Sequence, residues 1–164
     1  MSLSGRIGPV ISLKDERAGD WEQAESKIES PSDWIWTVVD GVSAGQANKM
    51  WGDRITGITT SPTVLSVEAL VGGIYGNVSL GGRVKAIIIR ADPANAADLH
   101  LLQPATTGVP IGVAPGDGIK IQPGGLLILV APNTGYVTGA NNDLNLVAAS
   151  GTLAADVILV GGDA

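Results

Sequence analysis

The chain of 164 residues has no cysteine, no phenylalanine and a single histidine, His100. Without cysteine there are no disulfides, thiolate metal sites or cysteine nucleophiles, and the redox compartment stays open. With one imidazole, a histidine-rich metal centre cannot be assembled. Basic charge is also scarce: Lys and Arg number 10 against 16 Asp and Glu, and beyond Leu101 the only basic residue is Lys120. Neutralising phosphates takes clustered Lys and Arg, so nucleic acid is not expected as a partner. No run approaches the about 18 apolar residues of a membrane span, and the first residues lack the apolar core of a signal peptide. The expectation is a soluble protein, made in the cytoplasm and not secreted by the usual route.

What is present is apolar. Hydrophobic residues make up 45% of the chain, enough for one domain with its own core and too much for general disorder. Charge is uneven, with fifteen charged residues in the first sixty positions and five in the last sixty-four. All four tryptophans, Trp21, Trp34, Trp36 and Trp51, also lie in the first part.

Two units are expected: an N-terminal arm over residues 1–31 and a β domain over residues 32–164. In the polar stretch 14–30, Trp21, Ala24 and Ile28 are spaced to share one face of a short helix. That stripe is too thin to hold a helix alone, so the arm is expected to lie on something else. Pro31, Ser32 and Asp33 then punctuate, and residues 34–39 read as the first strand. Trp34 and Trp36 are expected in the domain's own core, whereas Trp21 suits an interface anchor.

After Trp51 short runs alternate with Gly, Pro, Asn and Asp turns, about eight or nine strands without crossover helices or a fixed repeat. Within 63–71, Thr63, Leu65, Val67 and Ala69 share one face; Ile119 and Ile121 stand opposite Lys120 and Gln122, and Leu144 and Leu146 opposite Asp143 and Asn145. Those strands have one wet face. Three runs differ: residues 86–89, 126–130 and 157–160 are apolar at every position. A half-buried antiparallel strand should alternate, so these need cover on both sides. A second sheet supplies one cover; a folded-back arm or another copy supplies the other. The fold expected is all-β, an antiparallel two-sheet sandwich of jelly-roll type with an extended N-terminal arm. The residues expected at interfaces, on the arm and the apolar strands, are Trp21, Ile28, Ile88, Leu127, Leu129 and Ile158.

Several motifs look chemical and do not hold their context. Residues 41–45, Gly-Val-Ser-Ala-Gly, fit the G-x-S-x-G elbow, which would make Ser43 a nucleophile with His100 as base, but the elbow belongs on a parallel sheet with crossover helices. A small-residue turn is the more economical account. His100 sits between Leu99 and Leu101 on a polar strand face. Asn141, Asp143 and Asn145 have the first spacings of a calcium loop, but Leu146 stands at the glycine position and Thr152 at the final glutamate position. The paired carboxylates Asp15 and Glu16, then Glu22 and Glu25, lie in the polar arm, where desolvation is not expected to tune them. No enzymatic activity, catalytic residue, metal or cofactor is expected.

The stretch 83–162, through VKAIIIRADPANAADLHLLQP, APGDGIKIQPGGLLILV and TLAADVILVGG, resembles the small jelly-roll virion proteins of tailed bacteriophages, the capsid decoration or cement class. The resemblance covers about half the chain and implies a homotrimer on the outer capsid surface. It would bind where major capsid proteins meet and stabilise the head, with the arm reaching neighbours. The alternative is a carbohydrate- or receptor-binding jelly-roll module of a phage tail or similar assembly, although sugar sites want exposed aromatics and the β region offers only Tyr75 and Tyr136.

Overall fold

Turn chemistry decides where the strands stop. At residues 122–125 the amide of Gly125 donates to the carbonyl of Gln122 at 2.8 Å, with Pro123 presetting the first corner and Gly124 at φ 74° the second. Only glycine takes that positive φ cheaply, as a type II turn requires. Asp92 begins another turn, its carboxylate accepting the Ala94 amide at 2.8 Å while its carbonyl accepts the Asn95 amide at 3.0 Å.

The computed structural model describes residues 5–7, 12–14, 27–29, 36–73, 76–106, 108–112, 114, 116–138 and 142–162, and before residue 36 only the side chain of Ile7. The described residues contain strands and no helix. The strands are β1 (Gly5–Ile7), β2 (Ser12–Lys14), β3 (Lys27–Glu29), β4 (Trp36–Val38), β5 (Lys49–Ile58), β6 (Thr63–Ser66), β7 (Arg83–Ala91), β8 (Leu99–Leu102), β9 (Gly118–Ile121), β10 (Leu126–Val130), β11 (Tyr136–Val137), β12 (Asp143–Ala148) and β13 (Leu153–Gly162).

Two antiparallel sheets form a sandwich. The larger runs β10-β7-β13-β5, with β11 also on β7, and the smaller runs β6-β12-β8-β9. Each sheet therefore mixes early and late strands, and within these two sheets only β8 and β9 are both consecutive and paired. Two short ribbons complete the set, β1 on β4 and β2 on β3.

One core lies between the sheets. Trp51, Ile58, Val84, Ile87, Ile89, Val157 and Leu159 enter it from the larger sheet, and Leu65, Leu99, Leu101, Ile121, Leu144 and Leu146 from the smaller. Burying each large side chain contributes about 1.5–3 kcal/mol relative to leaving it in water. The alternation expected of Leu144 and Leu146 is present, with both fully buried.

Three local expectations change. Ile28 lies in β3, with Leu13 of β2 directly opposite, and not on a helix; Trp21 and Ala24 lie outside the described residues. The first strand of the domain is shorter than residues 34–39, and Trp34 is likewise outside the described residues. The strand from Thr63 stops at Ser66, because the Ala69 amide turns back to the Ser66 carbonyl at 3.0 Å, leaving Ala69 exposed.

Candidate interaction surface

The second face of the apolar strands is the outer face of the larger sheet. Register places three rows across it. Val130, Ala86, Val160 and Met50 form one row; Ile128, Ile88, Ile158 and Gly52 the next; Leu126, Arg90, Asp156 and Arg54 the third. Neighbours along each strand on the inner face, such as Ile87, Leu129 and Leu159, point into the core.

The first row is covered by the chain itself. Val38 and Ala47 close over Ala86 and Val160, and Ile7, Trp36, Met50 and Val130 pack around them. Segment 39–47, which continues β4, is fastened at several points. Trp36 Nε1 donates to the Gly45 carbonyl at 2.9 Å, the Ala47 amide to the Val39 carbonyl at 3.0 Å, and the Gly45 amide to the Pro132 carbonyl at 2.9 Å. A fourth tie comes from a bulge. Val160 pairs with Ala86 and Gly161 with Val84, so Lys85 is the extra residue. Its Nζ donates to the Ser43 carbonyl at 2.9 Å and to the Gln46 carbonyl, and the residue is fully buried. Burial first, and then the neighbouring Arg83 charge, push this ammonium below its ordinary value. At the bulge the chains approach so closely that a Cβ on Gly161 would stand 2.5 Å from the Arg83 carbonyl oxygen.

The second row is only partly covered. Ile88 and Ile128 are half-buried, Ile158 is 40% exposed, and Leu126 at the edge of the third row is 60% exposed. Beside them lies a row of balanced charge. Asp156 stands in register between Arg54 and Arg90, and Arg54 donates to Asp156 at 3.1 Å and to Asp92. The Ala94 amide, then the Arg54 guanidinium, hold the Asp92 carboxyl below the usual range, and the two carboxylates raise Arg54.

Of the residues expected at interfaces, Ile88 and Ile158 lie on this open row. Leu127 and Leu129 lean the other way and pack against the domain's own core. The candidates Arg90 and Asp156 carry no motif, and their only signal in the sequence is their place at the charged ends of apolar runs.

The chemical-looking motifs do not converge. Ser43 is exposed on the segment over the larger sheet's outer face, and its backbone is occupied by Gln46, whose side chain accepts the Ser43 amide at 3.2 Å. His100 lies between buried Leu99 and Leu101, so it faces outward from the smaller sheet, opposite Lys120 and Val147. The whole core separates the two. Asn141 lies outside the described residues; Asp143 and Asn145 share the smaller sheet's outer face. Among the described residues no group of three or more His, Asp or Glu could hold a metal ion, and no helix is long and apolar enough to cross a membrane. Tyr136 is half-buried against the core, and Tyr75 is outside the described residues.

Comparison with known proteins adds no relative: no family model, no curated protein and no solved structure matches the chain.

Proposed function

We propose that the chain is a structural virion protein, a homotrimeric decoration protein that binds the outer capsid surface and stabilises the head by bridging major capsid protein subunits. The observation that carries this reading is the half-open outer face of the larger sheet. A chain that uses its own ribbon to cover one apolar row leaves the adjoining isoleucine row only partly covered, with Ile158 40% exposed, which an assembling protein gains from and a solitary one does not.

Three further features support it. Numbered along the chain, the eight principal strands run 1-8-3-6 in one sheet and 2-7-4-5 in the other, an order that supports reading the sandwich as a jelly roll. The net charge of -6 suits an exterior position better than one facing packed genome. The β2–β3 ribbon is hydrogen-bonded to no other strand among the described residues, and a lone two-stranded ribbon is at best marginal in water without a surface to lie on. The carbohydrate-binding alternative draws less support, since Tyr136 packs inward and offers no exposed stacking platform.

The test is binding to heads. Purified protein is added to undecorated heads assembled from the major capsid protein encoded near its own gene, followed by sedimentation and heat challenge. Saturable co-sedimentation with a raised disruption temperature is expected; protein that stays in the supernatant at micromolar concentration overturns the reading.

A further inference from the structure

Any occupant of the open row must satisfy its neighbours as well as its isoleucines. The adjoining charged row carries Arg54 and Arg90 against Asp156, with Asp92 reaching in from the turn after β7, so two positive charges meet two negative ones on a chain that is acidic overall. Within one subunit the pairing is incomplete. Arg54 takes both Asp92 and Asp156, while Arg90 is exposed and acts on Asp92 only through space, as the last and smallest of the causes that lower its carboxyl, making no ion pair within 4.0 Å of a described residue. Only Oδ1 of Asp156 is engaged by Arg54, and the side chain remains 45% exposed, leaving its second oxygen for another donor.

A partner surface of one sign would leave half of this row unmatched. A second copy of the same surface brings both signs, and because Arg90 and Asp156 are adjacent in register, copies set head to tail around a ring bring the arginine of each over the aspartate of the next. We propose that Ile128, Ile88 and Ile158, with Leu126 at the edge, form the seam between copies of this chain, and that Arg90 of one copy pairs with Asp156 of its neighbour. The inference rests on the reading of the protein as a homo-oligomer and names the surface that builds it. Apolar burial supplies the affinity; the charge pair sets the register in which copies meet.

The experiment uses the full chain without heads, so its outcome is separate from capsid binding. Mass is measured by light scattering and native mass spectrometry at micromolar concentration, with circular dichroism and thermal melting to show that each variant is folded. Wild type is expected to be oligomeric. Ile158→Glu, which puts a carboxylate in the seam, should dissociate it while the subunit stays folded, weakening association by about tenfold or more. Arg90→Asp and Asp156→Arg should each weaken self-association, and the two together in one chain, which swap the charges at every seam of the ring, should restore it, a rescue that a merely local effect on Arg54 would not give. An oligomer unchanged by Ile158→Glu and Arg90→Asp places the seam elsewhere and overturns the proposal. So does a monomeric wild type whose binding to heads is lost in Ile158→Glu, since the row would then take the capsid protein.

Discussion

Leu159 and Ile158 are neighbours on β13, yet one is fully buried and the other 40% exposed. The same contrast runs across the larger sheet: Ile87 and Ile89 are sealed against the smaller sheet, while Ile88 between them meets only partial cover. An unbroken apolar run therefore has two histories. Its inner half is settled by sheet-on-sheet packing, which any strand of this sandwich must satisfy. Its outer half is settled piecemeal, by the β1–β4 ribbon and segment 39–47 over one row, while the next keeps Ile88 and Ile128 half-buried and Ile158 40% exposed. The inner face makes the fold, and the outer face is where assembly can be added to it.

Removing side chains from the two faces should sharpen that contrast. Leu159→Ala opens a cavity in the shared core and should cost about 2–5 kcal/mol in denaturant unfolding. Lys85→Met sits on the covered half of the outer face. It takes the lysine donor from the Gln46 carbonyl and from the Ser43 carbonyl, which keeps the Gln46 amide, and should cost about 1–3 kcal/mol. Ile158→Ala on the open half should change unfolding of the dilute subunit by less than about 1 kcal/mol, because that side chain is already partly in water. A cost equal to that of Leu159→Ala would break the distinction between the faces.

Two pH effects are smaller. Lys85 is held below the ordinary lysine value, so between its folded value and the ordinary one the unfolded chain binds more protons. Stability should therefore rise with pH through that alkaline window in wild type relative to Lys85→Met, as read from paired melts. Asp92 is depressed in the folded chain, so its contribution is complete above the ordinary aspartate value and is lost as pH falls through the lower folded one. Asp92→Asn should accordingly flatten the acid limb of the stability profile slightly, the effect being screened by solvent and salt.

Much of this was legible in advance because it is local. Pro123 and Gly124 specify their turn by φ alone, and the alternation of Leu144 and Leu146 with Asp143 and Asn145 specifies which side of β12 is dry. The apolar runs demand a second cover, and over Ala86 and Val160 the folded-back chain provides it. What misled was equally local. Trp21, Ala24 and Ile28 have helical spacing, but Lys27–Glu29 is only three residues long and takes its strand form from pairing with Ser12–Lys14, a contact that no period within the segment encodes. A continuous run does not say which alternate residues face the core, so by sequence alone Leu127 and Leu129 are indistinguishable from Ile88 and Ile158. Lys85 carried no signal at all, since its bulge exists only in register against Gly161.

From residue types alone, the chain was bound to be an all-β protein with short turns, one acidic surface and strands too apolar for a single covered face, because turn preference and side-chain alternation are properties of neighbouring residues. Which apolar row was closed and which left open was decided only in three dimensions. That choice depends on where β4 and segment 39–47 come to rest across β7 and, more than a hundred residues on in sequence, β13, and on the length of that segment, which reaches over Ala86 and Val160 and stops short of Ile158.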